Sequence, residues 1–196
     1  MISAATSPPR LPTLMSLTAL SVLSLNMFLP SLSNIAADLR ADYALVNLSI
    51  AGYAASTAVL QLVMGPLSDR FGRRPVLLTG LMIFILASLG CMLATEIRLF
   101  LVFRLLQGAI ISGYVVSLAI IRDSVRAQEA ASLMGYVSVA MAAGPMLGPM
   151  LGGVLDELFG WRASFLAFVA FGIAVLALCC AGLTWARPTR ARQIPS

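Results

Sequence analysis

The chain has 196 residues, of which 60% are hydrophobic and 11% charged, with a formal net charge of +5. A mean hydropathy of +0.95 excludes a water-soluble domain with a solvated surface, and the chain is read as an all-α, polytopic membrane protein. With no histidine and no clustered thiols among its three cysteines, a zinc site or a serine-histidine triad has nothing to stand on, and neither enzymatic activity nor a metal, cofactor or nucleic-acid partner is expected.

Crossing the hydrocarbon core takes about 20 mostly apolar residues, and six such segments follow one another. The first, Leu14 to Leu32, is too long for the apolar part of a cleaved secretory signal, and a comparable segment follows almost at once. The second runs from Val46 to Leu67 and ends in the junction GPLSDRFGRRP. Gly72 there suits a tight turn and Pro75 the first turn of the next helix, where a missing donor costs nothing. Asp69 stands at a helix C-terminus, whose dipole disfavours an anion. Gly65, Asp69, Arg70, Gly72, Arg73 and Arg74 are therefore expected to form a latch that holds neighbouring helix ends together in one conformation and breaks in another.

The third segment runs from Val76 to Ala94. Cys91 lies within it, Cys179 and Cys180 lie in the sixth segment, and all three are expected to be small buried hydrophobes without disulfides. The fourth, Leu99 to Ile121, contains RLLQG, which puts Arg104, Gln107 and Gly108 within one helical turn. Arg104 is the only charged residue in any of the six segments. A guanidinium at that depth is costly and usually faces a cavity or a partner. Its bland alternative is snorkelling toward the interface near Arg98; Gln107, a second polar group one turn deeper, favours the cavity.

The fifth segment, Leu133 to Leu155, holds GPMLGPMLGG. Gly144, Gly148 and Gly152 recur every four residues and form one stripe, with Pro145, Pro149 and Gly153 beside it. Small residues let helices approach closely in lipid, and the prolines free the carbonyls of Met141 and Pro145 and favour a bend. The stretch is read as a bent, closely packed helix rather than a loop. The sixth segment runs from Ser164 to Trp185.

All 13 basic residues are arginine. Placing the N-terminus in the cytoplasm puts nine of them (residues 10, 70, 73, 74, 122, 126, 187, 190 and 192) inside, against Arg40, Arg98 and Arg162 outside. By the excess of positive charge in cytoplasmic loops, residues 1–13 are expected to be a cytoplasmic segment, 14–185 the bundle and 186–196 a cytoplasmic tail. Sliding the sequence by 88 positions aligns GPLSDRFGRRP with GVLDELFGWRA, so that Gly72 and Arg74 match Gly160 and Arg162. The copies fall on opposite sides of the membrane. The bundle is therefore expected to be an inverted repeat of two three-helix units, the device by which many secondary transporters reach two related conformations.

Three patterns then coincide. G-x-x-x-D-R-x-G-R-R from Gly65 resembles the loop motif between helices two and three of the major facilitator superfamily, and R-x-x-Q-G from Arg104 resembles its fourth-helix motif. The pattern G-x8-G-x3-G-P-x2-G-G from Gly135 resembles the fifth-helix motif of drug:proton antiporters. LNMFLPSLSNIAADL, GPLSDRFGRRPVLL and AIIRD look most like the bicyclomycin-resistance (Bcr/CflA) branch of bacterial inner-membrane exporters. The resemblance implies efflux of a small drug-like or metabolite molecule by alternating access, with the proton as coupling ion and Arg104, Gln107, Gly108 and Asn26 on the substrate or proton path. Asn26 stands where that branch usually carries an aspartate, and an amide takes up no proton in the physiological range.

The family has two six-helix halves, and this chain carries six segments. A truncated product, a half paired with a separately encoded half and a self-associating half all remain open. In each, the face carrying Arg104 would be the one turned toward the missing half or toward lipid. Uptake of a nutrient on the same fold, and a non-transporting fragment that binds other membrane proteins, are the alternative functions.

Overall fold

A computed structural model describes residues 11–124 and 127–182. No strand occurs among them, and six helical spans are long and apolar enough to cross a membrane. Span one consists of α1 (Leu11–Asn26), a 3₁₀ turn (Leu29–Ser31) and α2 (Leu32–Asp38). Spans two and three are α3 (Tyr43–Phe71) and α4 (Arg73–Leu93). Span four is α5 (Ile97–Gln107), a 3₁₀ turn (Gly108–Ile110) and α6 (Ile111–Ser124). Spans five and six are α7 (Ala127–Phe159) and α8 (Arg162–Gly182).

The spans outrun their apolar cores. Span one was expected to stop at Leu32 as a single helix; it reaches Asp38 and breaks after Asn26. The chemistry of the break is local: Pro30 has no N–H to return to the carbonyl of Asn26, and the Asn26 amide donates to its own helix at Val22 O, 2.8 Å away. The turn closes instead with Met27 N–H on Leu23 O and Ser31 N–H on Phe28 O. Span two starts where the Asp42 carboxylate accepts from Ala44 N–H at 2.9 Å, capping the first turn. It then runs through Pro66 and carries Asp69 and Arg70 in its last turn. Span five is one continuous helix through both Pro145 and Pro149, a helix and not a loop.

The repeat is visible in the backbone. The crossing parts of spans two and five, Tyr43–Phe71 and Ala131–Phe159, are each 29 residues long. Each ends at a glycine in the left-handed region, Gly72 at φ +91° and Gly160 at φ +81°, a conformation in which any β-carbon is strained. Spans one and four are both interrupted by a 3₁₀ turn. The packing obeys the same relation, with α1 lying chiefly on α7, α3 on α5 and α4 on α8. Exchanging the repeats maps the first of these pairs onto the second and the third onto itself.

Between spans one, three, four and six lies a column of rings. Phe165 meets Phe100 edge-on at 5.6 Å and Phe168 at 5.8 Å, and Trp161 meets Phe100 edge-on at 5.9 Å. Cys91 and Cys179 are buried free thiols as expected, whereas Cys180 is exposed on the outer surface of the bundle. A small apolar residue is at home there because lipid, not water, covers that surface.

Candidate functional site

Arg104 is fully buried, with no exposed surface. The expectation that it lies on a face turned to lipid or to a missing half is therefore corrected: it points into the interior of this six-helix unit. Snorkelling is excluded by the same fact. Seven residues inward from the start of α5 at Ile97, it sits about 10 Å along the helix.

Its surroundings come from five spans. The guanidinium carbon stands 3.9 Å from the ring centre of Phe28, 4.7 Å from Tyr53 and 6.0 Å from Phe165. Desolvated cation–π contacts are worth about 2 kcal/mol each, so the aromatic cage offsets part of the burial cost. Nη1 donates to the Gln107 side-chain carbonyl and, at 3.3 Å, to the backbone carbonyl of Ser24, just before the break in span one. Gln107 in turn donates from Nε2 to Ser88 Oγ at 2.7 Å, and Ser88 donates to Phe84 O. The Tyr53 hydroxyl pairs with Ser24 Oγ at 2.6 Å. The fourth-span motif thus ties spans one, two, three and four through one buried polar network, and such networks specify a unique arrangement when satisfied.

Gly108 ends this turn. A β-carbon there would stand 2.3 Å from Ser56 Oγ, so glycine is what lets spans two and four approach. Asn26 is half-buried and turned to Val22 O; it makes no bond to Arg104, and the two residues are not joined into one site. Sequence reasoning missed Phe28, Tyr53, Ser24 and Ser88. Only long-range packing singles them out from other serines and aromatics in the spans.

The fifth-span pattern divides in two. Gly144, Gly148 and Gly152 seat span one: β-carbons would lie 2.1 Å from Val22 Cγ1, 2.7 Å from Asn26 Cβ and 1.6 Å from the Met27 carbonyl oxygen. Gly135 and Gly153 have open space where a β-carbon would go. Pro145 is exposed and Pro149 half-buried.

At the first junction Asp69, Arg70 and Arg74 are exposed, Gly65 has open space beside it, and Arg73 opens α4. The Asp69 carboxylate has no hydrogen-bond or ion-pair partner among the described residues, and Arg70 lies over its neighbour Phe71 at 5.4 Å. The second junction is wired differently. Arg162 pairs with Asp38, donates from Nε to Met92 O at 3.0 Å and from Nη2 to Ala94 O at 3.3 Å, and lies 4.3 Å from the Trp161 ring. Trp161 Nε1 donates to the same Asp38 oxygen at 3.1 Å. Beside it, Asn34 donates to Asp156 at 2.7 Å. Sequence reasoning placed Asp38 outside the membrane but gave it no partner, because its partners lie more than 120 positions away.

An inverted pair of three-span units, sealed by a glycine-seated fifth span and a buried arginine, defines a helical polytopic membrane protein of transporter architecture. The Major Facilitator Superfamily description matches residues 14–196, and the chain belongs to that family. It is 37% identical over 166 residues to the multidrug resistance protein MdtL of Citrobacter koseri, covering 84% of this chain and 42% of that protein. The MdtL proteins of Escherichia coli K12 (DH10B) and Shigella boydii serotype 18 are 38% identical over the same share. The chain thus spans less than half the length of these relatives.

Proposed function

We propose that the chain forms six spans of a bacterial inner-membrane exporter of the Bcr/CflA type, moving a small drug-like or metabolite molecule by alternating access. The observation that carries this reading is the similarity to proteins named for multidrug resistance, which covers 84% of the chain. The Arg104–Gln107–Ser88 network supports it, because a buried charge held by groups from several spans senses their relative movement. The six-helix unit faces a second six-helix half or a second copy of itself, with both termini in the cytoplasm. Proton-driven antiport is part of the same reading, and since Asn26 cannot titrate, the proton is carried by another group of the chain or by the facing half.

The test is drug accumulation in a bacterial strain stripped of its own efflux pumps, with the chain expressed together with its facing half. Arg104→Ala abolishes the fall in accumulation while the protein level in the membrane stays unchanged. Unchanged efflux by that variant removes Arg104 from the mechanism.

A further inference from the structure

Arginine carries five N–H donors, accepts nothing and keeps its charge at any physiological pH. In Arg104 only Nη1 is used: it serves Gln107 and Ser24, while Nε and Nη2 are buried and find no partner among the described residues. No carboxylate among those residues comes within ion-pair distance of it, and the ion pair found lies at the second junction, between Arg162 and Asp38. A buried polar group without a partner costs about 1–3 kcal/mol, and more when charged. The three rings satisfy the face of the guanidinium, whereas these N–H groups point out of its edge and lie in its plane.

The identity of the unused atoms narrows the ligand. Nε and Nη2 form one edge of the guanidinium, and two parallel N–H groups on that edge match the two oxygens of a carboxylate. A cation is repelled there, and a neutral ligand leaves the charge without a counter-ion. We propose that Arg104 is a carboxylate-binding site, gripping the anion side-on through Nε and Nη2 while Nη1 stays on Gln107 and Ser24. The carboxylate belongs either to a substrate with an apolar body or to a small free acid; the chemistry of the grip is the same. The proposal rests on Arg104 being a site residue, and it gives the exported molecule an acidic group.

It is tested by binding rather than by transport. The full chain in lipid nanodiscs is melted at pH 8 in sodium chloride, sodium formate or sodium benzoate at equal ionic strength. Formate or benzoate raises the melting temperature saturably above the chloride value, by roughly 4 °C at ten times the half-saturating concentration. A benzoate effect alone assigns the site to an acid with an apolar body, and a formate effect to a small free acid. The shift disappears in Arg104→Gln and survives in Arg98→Gln, whose arginine is exposed. Should Arg104→Gln fail to fold, Arg104→Lys, which keeps the charge but lacks the paired N–H edge, takes its place, and a carboxylate shift undiminished in it overturns the proposal. Identical melting in the three salts overturns the proposal, as does a carboxylate shift that persists in Arg104→Gln. A chain that binds carboxylate but exports nothing keeps this inference and discards the function proposed above.

Discussion

The two junctions share a positive-φ glycine and differ in wiring. Both end a 29-residue span at a left-handed glycine and place an arginine two residues later. At the second junction that arginine is Arg162, spent within the six-helix bundle on Asp38, Met92 O and Ala94 O of the other three-span repeat. At the first it is Arg74, exposed, as are Asp69 and Arg70. Repetition kept the turning glycine while the charges diverged, so that Arg162 binds the two repeats together whereas Asp69, Arg70 and Arg74 lie exposed. An inverted repeat therefore need not be symmetric in what it holds together.

Substitutions can sharpen this contrast or break it. The largest expected effect is that of Arg162→Ala, which removes two carbonyl bonds and a half-exposed ion pair and lowers stability by about 2 kcal/mol. Trp161 reports it through a red shift in fluorescence as its partner on Asp38 loosens. The counterpart Arg74→Ala changes stability by less than about 0.5 kcal/mol, as surface replacements do. Equal losses at the two sites, measured by denaturant unfolding in detergent, would contradict the difference in wiring.

Next come the glycines. Gly72→Ala and Gly160→Ala are expected to cost about 1–2 kcal/mol each, since both force a β-carbon into the left-handed region. Matching costs uphold the equivalence of the two glycines; a marked inequality in the same unfolding assay dissolves it. The smallest stability effect belongs to Asp69→Asn, under about 0.5 kcal/mol. If its carboxylate latches onto a facing half, accumulation assays show a severalfold loss of export at unchanged stability. Full export by Asp69→Asn would leave the first junction with only a topological role.

The spans and their repetition were legible because both are written in local pattern: apolar runs of bilayer length, and one eleven-residue junction occurring twice. The seating of Gly144, Gly148 and Gly152 followed from their spacing, which puts them on one helix face, but the spacing could not say that span one is what they receive. The break at Met27 was hidden, since hydrophobicity continues through it and only the missing N–H of Pro30 hints at it. Arg104 announced itself as the lone charge in an apolar stretch. That it turns inward to Phe28, Tyr53 and Phe165 depends on three other spans, which no window along the chain contains.

The contact between Gly152 and the Met27 carbonyl sets a rule for natural variation. A β-carbon at 152 would stand only 1.6 Å from that oxygen, so not even a methyl group fits without moving the backbone of span one. Position 135, facing open space, is free to wander. A stretch that looks uniformly glycine-rich in fact mixes three strict positions, 144, 148 and 152, with tolerant ones at 135 and 153, and random mutagenesis read out by membrane assembly would recover the difference directly.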